Sequence, residues 1–171
     1  MDLHILTTGG TIDKVYFDAQ SAFEVGQPLV ADILETAGVS LHYHVEVLMQ
    51  KDSLDLTEAD RALIIERVRA SPARRILVTH GTDTMADTAR AVEHALGSAS
   101  ERTVVFVGSL APARFKSSDA EFNVGFACAA VQALPPGVYI AMNGRAFGAS
   151  QVRKNRKQNR FEAVEASAPT T

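Results

Sequence analysis

Five short runs with strand character, each ended by glycine or by hydroxyl-bearing or polar residues, constrain this fold more than any other feature of the sequence. Leu3-His4-Ile5-Leu6 leads into Thr7-Thr8-Gly9-Gly10, Ile76-Leu77-Val78 into Thr79-His80-Gly81, and Val104-Val105-Phe106-Val107 into Gly108. Residues 40–49 alternate, with Leu41, Tyr43, Val45 and Val47 on one face, and Gly137 to Met142 make the fifth run. Alternating runs read as half-buried strands and continuous ones as strands buried on both faces. Between them lie segments of helical length. Pro28 suits a first helical position, Leu29, Ile33 and Leu34 keep helical spacing, and Gly38 suits the end. Thr57 caps a second helix running to about Ala70, with Asp60 in an imperfect capping box. A third helix spans 84–96 before Gly97, and a fourth spans 118–134 before Pro135-Pro136. Residues 11–28 and 109–117 read as loops, and 143–152 as a hairpin-like excursion. Strands alternating with helices predict an α/β layered domain around a mostly parallel sheet.

Ligands of such sheets bind beyond the carboxyl ends of the strands. Those ends carry Thr7-Thr8-Gly9-Gly10-Thr11, Lys51-Asp52-Ser53, His80-Gly81-Thr82-Asp83-Thr84, Gly108-Ser109 and, past the excursion, Lys154. Hydroxyls, carboxylates and a lysine therefore converge on one edge, while the opposite edge holds ordinary turn and capping residues.

Composition excludes several classes. A chain of 171 residues with 46% hydrophobic and 22% charged residues suits one globular domain. The single cysteine, Cys128, rules out an internal disulfide and a cysteine-only zinc site, and its alanine-rich helical context reads as packing. No apolar run reaches the roughly 18 residues of a membrane span, and Met1-Asp2-Leu3-His4 lacks a signal-peptide layout, so a cytoplasmic protein is expected. Net charge is −3, but residues 151–160 hold five basic residues and no acid. The rest carries 12 basic and 20 acidic residues, a net −8, which disfavours general attraction to nucleic acid. The basic segment reads as an exposed chain end or, alternatively, as a weak polyanion contact. The expected division is a domain over 1–155 and a polar, flexible tail over 156–171.

The chemistry these turns can support is nucleophilic. Gly9 and Gly10 let backbone N–H groups approach a ligand, and Thr11 beside them can attack a carbonyl. Each turn also has a plainer reading: Gly-Gly-Thr as a strand stop, Asp83 or Thr84 as a helix cap, Lys154 as a solvated lysine. A threonine nucleophile needs a base, and a lysine serves only when neutral; burial and a neighbouring carboxylate act on that in opposite senses. His42 and His44 share a strand face at metal-ligand spacing without an evident third ligand, and His80 can simply bond the backbone.

Thr8-Gly9-Gly10-Thr11-Ile12 and Thr79-His80-Gly81-Thr82-Asp83-Thr84-Met85 together resemble the two signatures of the L-asparaginase/glutaminase family. Gly108-Ser109-Leu110-Ala111-Pro112 with Ser118-Asp119 and Phe122-Asn123 resembles a third stretch, and Asp52-Ser53-Leu54-Asp55 the family's substrate-binding turn. The resemblance covers about residues 3–155 and corresponds to the family's N-terminal domain alone. It implies a flavodoxin-like three-layer sandwich. It also implies catalytic roles for Thr11, Thr82, Asp83, Lys154 and the loop tyrosine Tyr16, with Ser53, Asp52, Gly81, Ser109 and Gly10 binding substrate. The implied activity is hydrolysis of asparagine, with glutamine as a second substrate, needing neither metal nor organic cofactor, in a homodimer or homotetramer. Two other readings stand beside it: an amino-acid-binding module without turnover, and an amidase subunit acting on an aminoacyl-RNA through the basic segment.

Overall fold

A computed structural model describes residues 2–17 and 22–164. Its main sheet has six strands: β1 (Leu3–Thr7), β4 (Tyr43–Val47), β5 (Arg75–Thr79), β6 (Thr103–Val107), β7 (Gly137–Met142) and β8 (Arg145–Gly148). Their order is β4-β1-β5-β6-β7-β8. The first five are mutually parallel, and β8 returns antiparallel to β7. The α/β, mostly parallel expectation holds, and the strand order is that of flavodoxin-like sheets.

The apolar runs fold as strands because both faces of the sheet are covered. Ile76, Val78, Val104 and Phe106 point to one side and pack with Ile64 and Val68 of α2 (Glu58–Ala70) and Met85 and Val92 of α3 (Met85–Leu96). Leu77, Val105 and Val107 point to the other, with Val30 and Leu34 of α1 (Val30–Thr36) and Val124 and Val131 of α4 (Ala120–Ala133). Cys128 lies buried on α4, where burial pushes its thiol up to about 11. Thr57 and Asp60 close a complete capping box at the start of α2, so the aspartate serves as well as the longer acid.

Three stretches differ from the sequence reading. The residues taken as a loop over 11–28 contain a 3-10 turn at Thr11–Asp13 and a hairpin of β2 (Lys14–Phe17) and β3 (Ala22–Val25). Among the described residues these strands have four residues each and pair only with each other, which leaves little periodicity to detect. The run over 40–49 shortens to β4, an edge strand whose Val47 is exposed. The chain taken as a polar tail from 156 instead forms β10 (Arg160–Ala163), antiparallel to β9 (Val152–Asn155). Phe161, buried among the core side chains, anchors that hairpin; the rest of the expected tail, 165–171, lies outside the described residues.

Candidate functional site

The turns past β1, β4 and β5 are packed backbone against backbone, and glycines make that possible. A Cβ on Gly10 would lie 2.4 Å from the Gly81 Cα, and one on Gly81 would lie 2.6 Å from the Ser53 Cβ. A Cβ on Gly9 would lie 2.7 Å from the Lys51 nitrogen. Gly10 also has φ +97°, a conformation that L side chains rarely adopt. Pairing continues past the strands: the Thr8 hydroxyl donates to the Thr79 carbonyl (2.9 Å) and Lys51 N–H to the Thr8 carbonyl (3.1 Å). Thr11 and Thr82 each follow one of the two glycines that touch. The turns carrying them are therefore adjacent, although 71 residues of chain separate them.

Lys154 reaches this edge from β9. Its Nζ donates to Thr82 Oγ1 at 2.7 Å and to Asp83 Oδ1 at 2.9 Å. Thr82 is buried and the Lys154 side chain is 12% exposed, so water competes weakly for either. Arg156, further along the same hairpin, stands 3.9 Å from the same Asp83 oxygen. The basic segment is thus no solvated end throughout: Arg153 and Arg160 also face a carboxylate, that of Glu162.

Ser53 is buried in a 3-10 turn, Ser53–Asp55. Thr84 donates its hydroxyl to the Ser53 carbonyl (2.8 Å), so the start of α3 holds that turn. Asp52 caps the turn by accepting Leu54 N–H (3.1 Å), and its other oxygen meets Lys14 Nζ at 2.7 Å. Burial raises the Asp52 carboxyl, but the Lys14 and Leu54 hydrogen bonds outweigh it and hold the group below its ordinary value. The charge of Lys154 acts on Asp52 in the same direction, which places both on one edge.

Of the remaining expected residues, Ser109 is buried and gives its hydroxyl to the Ala111 carbonyl (2.5 Å), bracing its own loop. Tyr16 stands apart on β2, half-exposed, with its ring 5.3 Å from Phe23. His80 is buried with Nδ1 2.7 Å from the Gly81 carbonyl, and burial pushes the ring down to about 4. It is neutral at neutral pH, with Nδ1 committed to a turn. His44 packs against His4, and among the described residues no three His, Cys, Asp or Glu side chains form a metal-binding group.

Lys14 and Asp13 are not singled out by the sequence, and Thr84 only as a possible helix cap. Asp13 is buried: its N–H donates to the Gly10 carbonyl, its carbonyl accepts Gly26 N–H, and its carboxyl accepts Leu29 N–H. Burial pushes that carboxyl up to about 6. The one available signal was a charged pair, Asp13-Lys14, directly behind the glycine-rich turn.

The family model described as "Asparaginase, N-terminal" matches residues 2–169. The chain is 30% identical over 162 residues to the "Probable L-asparaginase periplasmic" of Haemophilus influenzae, covering 90% of this chain and 46% of that protein. It is 29% identical over 169 residues to the glutaminase-asparaginase of Acinetobacter glutaminasificans, covering 88% of this chain and 48% of that protein. The thermostable L-asparaginase of Thermococcus kodakarensis superposes with a TM-score of 0.81 at 26% identity, over 97% of this chain and 52% of that one. The chain spans about half the length of the curated relatives it matches. No helix among the described residues is long and apolar enough to cross a membrane.

Proposed function

Because this chain belongs to the asparaginase family, matching its N-terminal domain, we propose that it hydrolyses the side-chain amide of a free amino acid, asparagine foremost, to the acid and ammonia. The observation that carries this reading is the Lys154–Thr82–Asp83 cluster, closed across 72 residues of chain beside the Gly10–Gly81 contact.

Thr11 attacks the amide carbon, forming a C–O bond and a tetrahedral oxyanion. Its proton passes toward Thr82 and Lys154, which acts as base in its neutral form. Backbone N–H groups of the glycine turns at 10 and 81 stabilise the oxyanion, a role suited to donors that need no reorganisation. Collapse breaks the C–N bond, and ammonia leaves with a proton returned by the same relay. Water then attacks the ester, regenerating Thr11 and releasing the acid. Ser53, Asp52 and Asp83 hold the substrate's carboxylate and ammonium ends. The backbone contacts among the three turns support this arrangement, since they bring the turns of Thr11, Ser53 and Thr82 against one another.

The test is ammonia release by Thr11→Ala and Thr82→Ala, assayed separately over a panel of free amides. Loss of turnover in each, with folding kept, is expected. Turnover retained in both sinks the mechanism, and amino-acid binding without ammonia from the wild-type chain leaves a binding module.

A further inference from the structure

Lys14 adds a side-chain tie between two parts of the site that backbone contacts already bring together. It follows the Thr11–Asp13 turn directly, its own N–H donating to the Thr11 carbonyl. Its Nζ meets Asp52 Oδ2 at 2.7 Å, while Asp52 Oδ1 accepts Leu54 N–H and shapes the turn carrying Ser53. One ion pair therefore runs from the turn of Thr11 to the turn of Ser53. The glycine contacts stop the turns from moving closer, because backbone atoms are already touching. Against separation the backbone supplies the Lys51 N–H to Thr8 carbonyl bond, on the near side of Thr11, and does not reach past it. The ion pair does, and with both side chains about a quarter exposed (26% and 27%) it is only partly screened.

We propose that the Lys14–Asp52 pair sets the side-chain length of the amide this site accepts, by holding the turn of Thr11 at one separation from the turn of Ser53. This rests on the reading of the site as an amidohydrolase. Asparagine and glutamine share a carboxylate, an ammonium and an amide, and differ by one methylene between the head group and the scissile carbon. A pocket wall discriminates such a difference weakly; a fixed gap between nucleophile and head-group turn discriminates it directly. Lys14 is accordingly a positioning residue, acting through Asp52.

The experiment compares kcat/KM for asparagine and glutamine in the wild type, Lys14→Met and Lys14→Arg. A general loss of positive charge, or a partly unfolded preparation, lowers both amides alike; only a changed gap moves their ratio. In Lys14→Met the ratio is expected to move toward unity by about threefold or more, the scale of a partly exposed ion pair, and in Lys14→Arg to return to the wild-type value. A ratio unchanged in folded Lys14→Met overturns the proposal. If the wild type releases ammonia from neither amide, the catalytic reading falls. The spacing is then read from the Kd ratio of aspartate and glutamate, where the same shift supports it and an unshifted ratio overturns it. A wild type that binds neither acid overturns both readings.

Discussion

The two flanks of the candidate site are built differently. On one flank, Thr82, Asp83 and Lys154 come from α3's approach and from β9, both fastened to the buried core through Met85, Val152 and Phe161. Their hydrogen bonds are formed without any ligand present. On the other flank, the β2–β3 hairpin pairs only with itself, and its Tyr16 and Phe23 are about half-exposed. Phe23 packs on Phe115, 6.0 Å away in the loop before α4, rather than on the core. The Lys154 side is thus preorganised by the sheet. The side beyond Thr11 is held at the hairpin's root, by the buried Ile12 and by the polar ties of Asp13 and Lys14. Preorganised polar groups give catalysis its electrostatic contribution, whereas segments with few buried contacts open most readily.

The largest effect is expected on the preorganised flank. Lys154→Met removes the amine from both Thr82 and Asp83, and ammonia release should fall on the order of 100- to 10,000-fold, the range of a general base. Asp83 keeps Arg156 nearby and is one-third exposed, so no buried charge is stranded. The melting temperature should therefore stay within a few degrees. Equal turnover by the variant and the wild type, at matched folding, removes the reason to call this flank catalytic.

The root of the hairpin gives a smaller, pH-dependent effect. The Asp13 carboxyl is held at about 6 against an ordinary 3.8, because burial disfavours its charge. Below about pH 4 the group is protonated both folded and unfolded and does not alter stability. As pH rises from about 4 to about 6 the unfolded state releases its proton while the fold keeps it, and the fold loses stability on the order of 2–3 kcal/mol, with no further loss above that. Asp13→Asn keeps an acceptor for Leu29 N–H and never ionises. It should raise the melting temperature at pH 8 by several degrees more than at pH 4. An equal change at both pH values means that the carboxyl is solvated and the root looser than described.

The same contrast explains what could be read from residues alone. Strands β1, β5 and β6 were legible because a strand covered on both faces must be continuously apolar, as Ile76-Leu77-Val78 and Val104–Val107 are. The edge they point to was legible because glycines and hydroxyls follow each run. The hairpin was not: Lys14, Val15 and Tyr16 alternate too briefly to separate from loop. Nor was β10, where a single apolar residue, Phe161, decides between tail and strand. Lys154 was visible as a residue, but its bonds to Thr82 and Asp83 depend on the return of β8 and β9 across the sheet end. Local periodicity does not encode such a closure. The Lys14–Asp52 pair shares that property, since an ion pair leaves no spacing rule in a loop.

The smallest effect tests whether the two flanks are separate cooperative units. Phe23→Ala removes the ring that Tyr16 and Phe115 pack against, at a half-exposed position. An aromatic pair of this kind contributes about 0.5–1.5 kcal/mol, and partial exposure puts this one toward the lower end. If the hairpin opens independently, amide hydrogens of Lys14–Phe17 should exchange several-fold faster in the variant. Those of β5 and β6, protected by global unfolding, should change only slightly. Global melting should then shift by no more than about 2–4 °C. Acceleration of β5 and β6 matching that of the hairpin joins both flanks into one unit, and the distinction between a fixed Lys154 side and a yielding Thr11 side collapses.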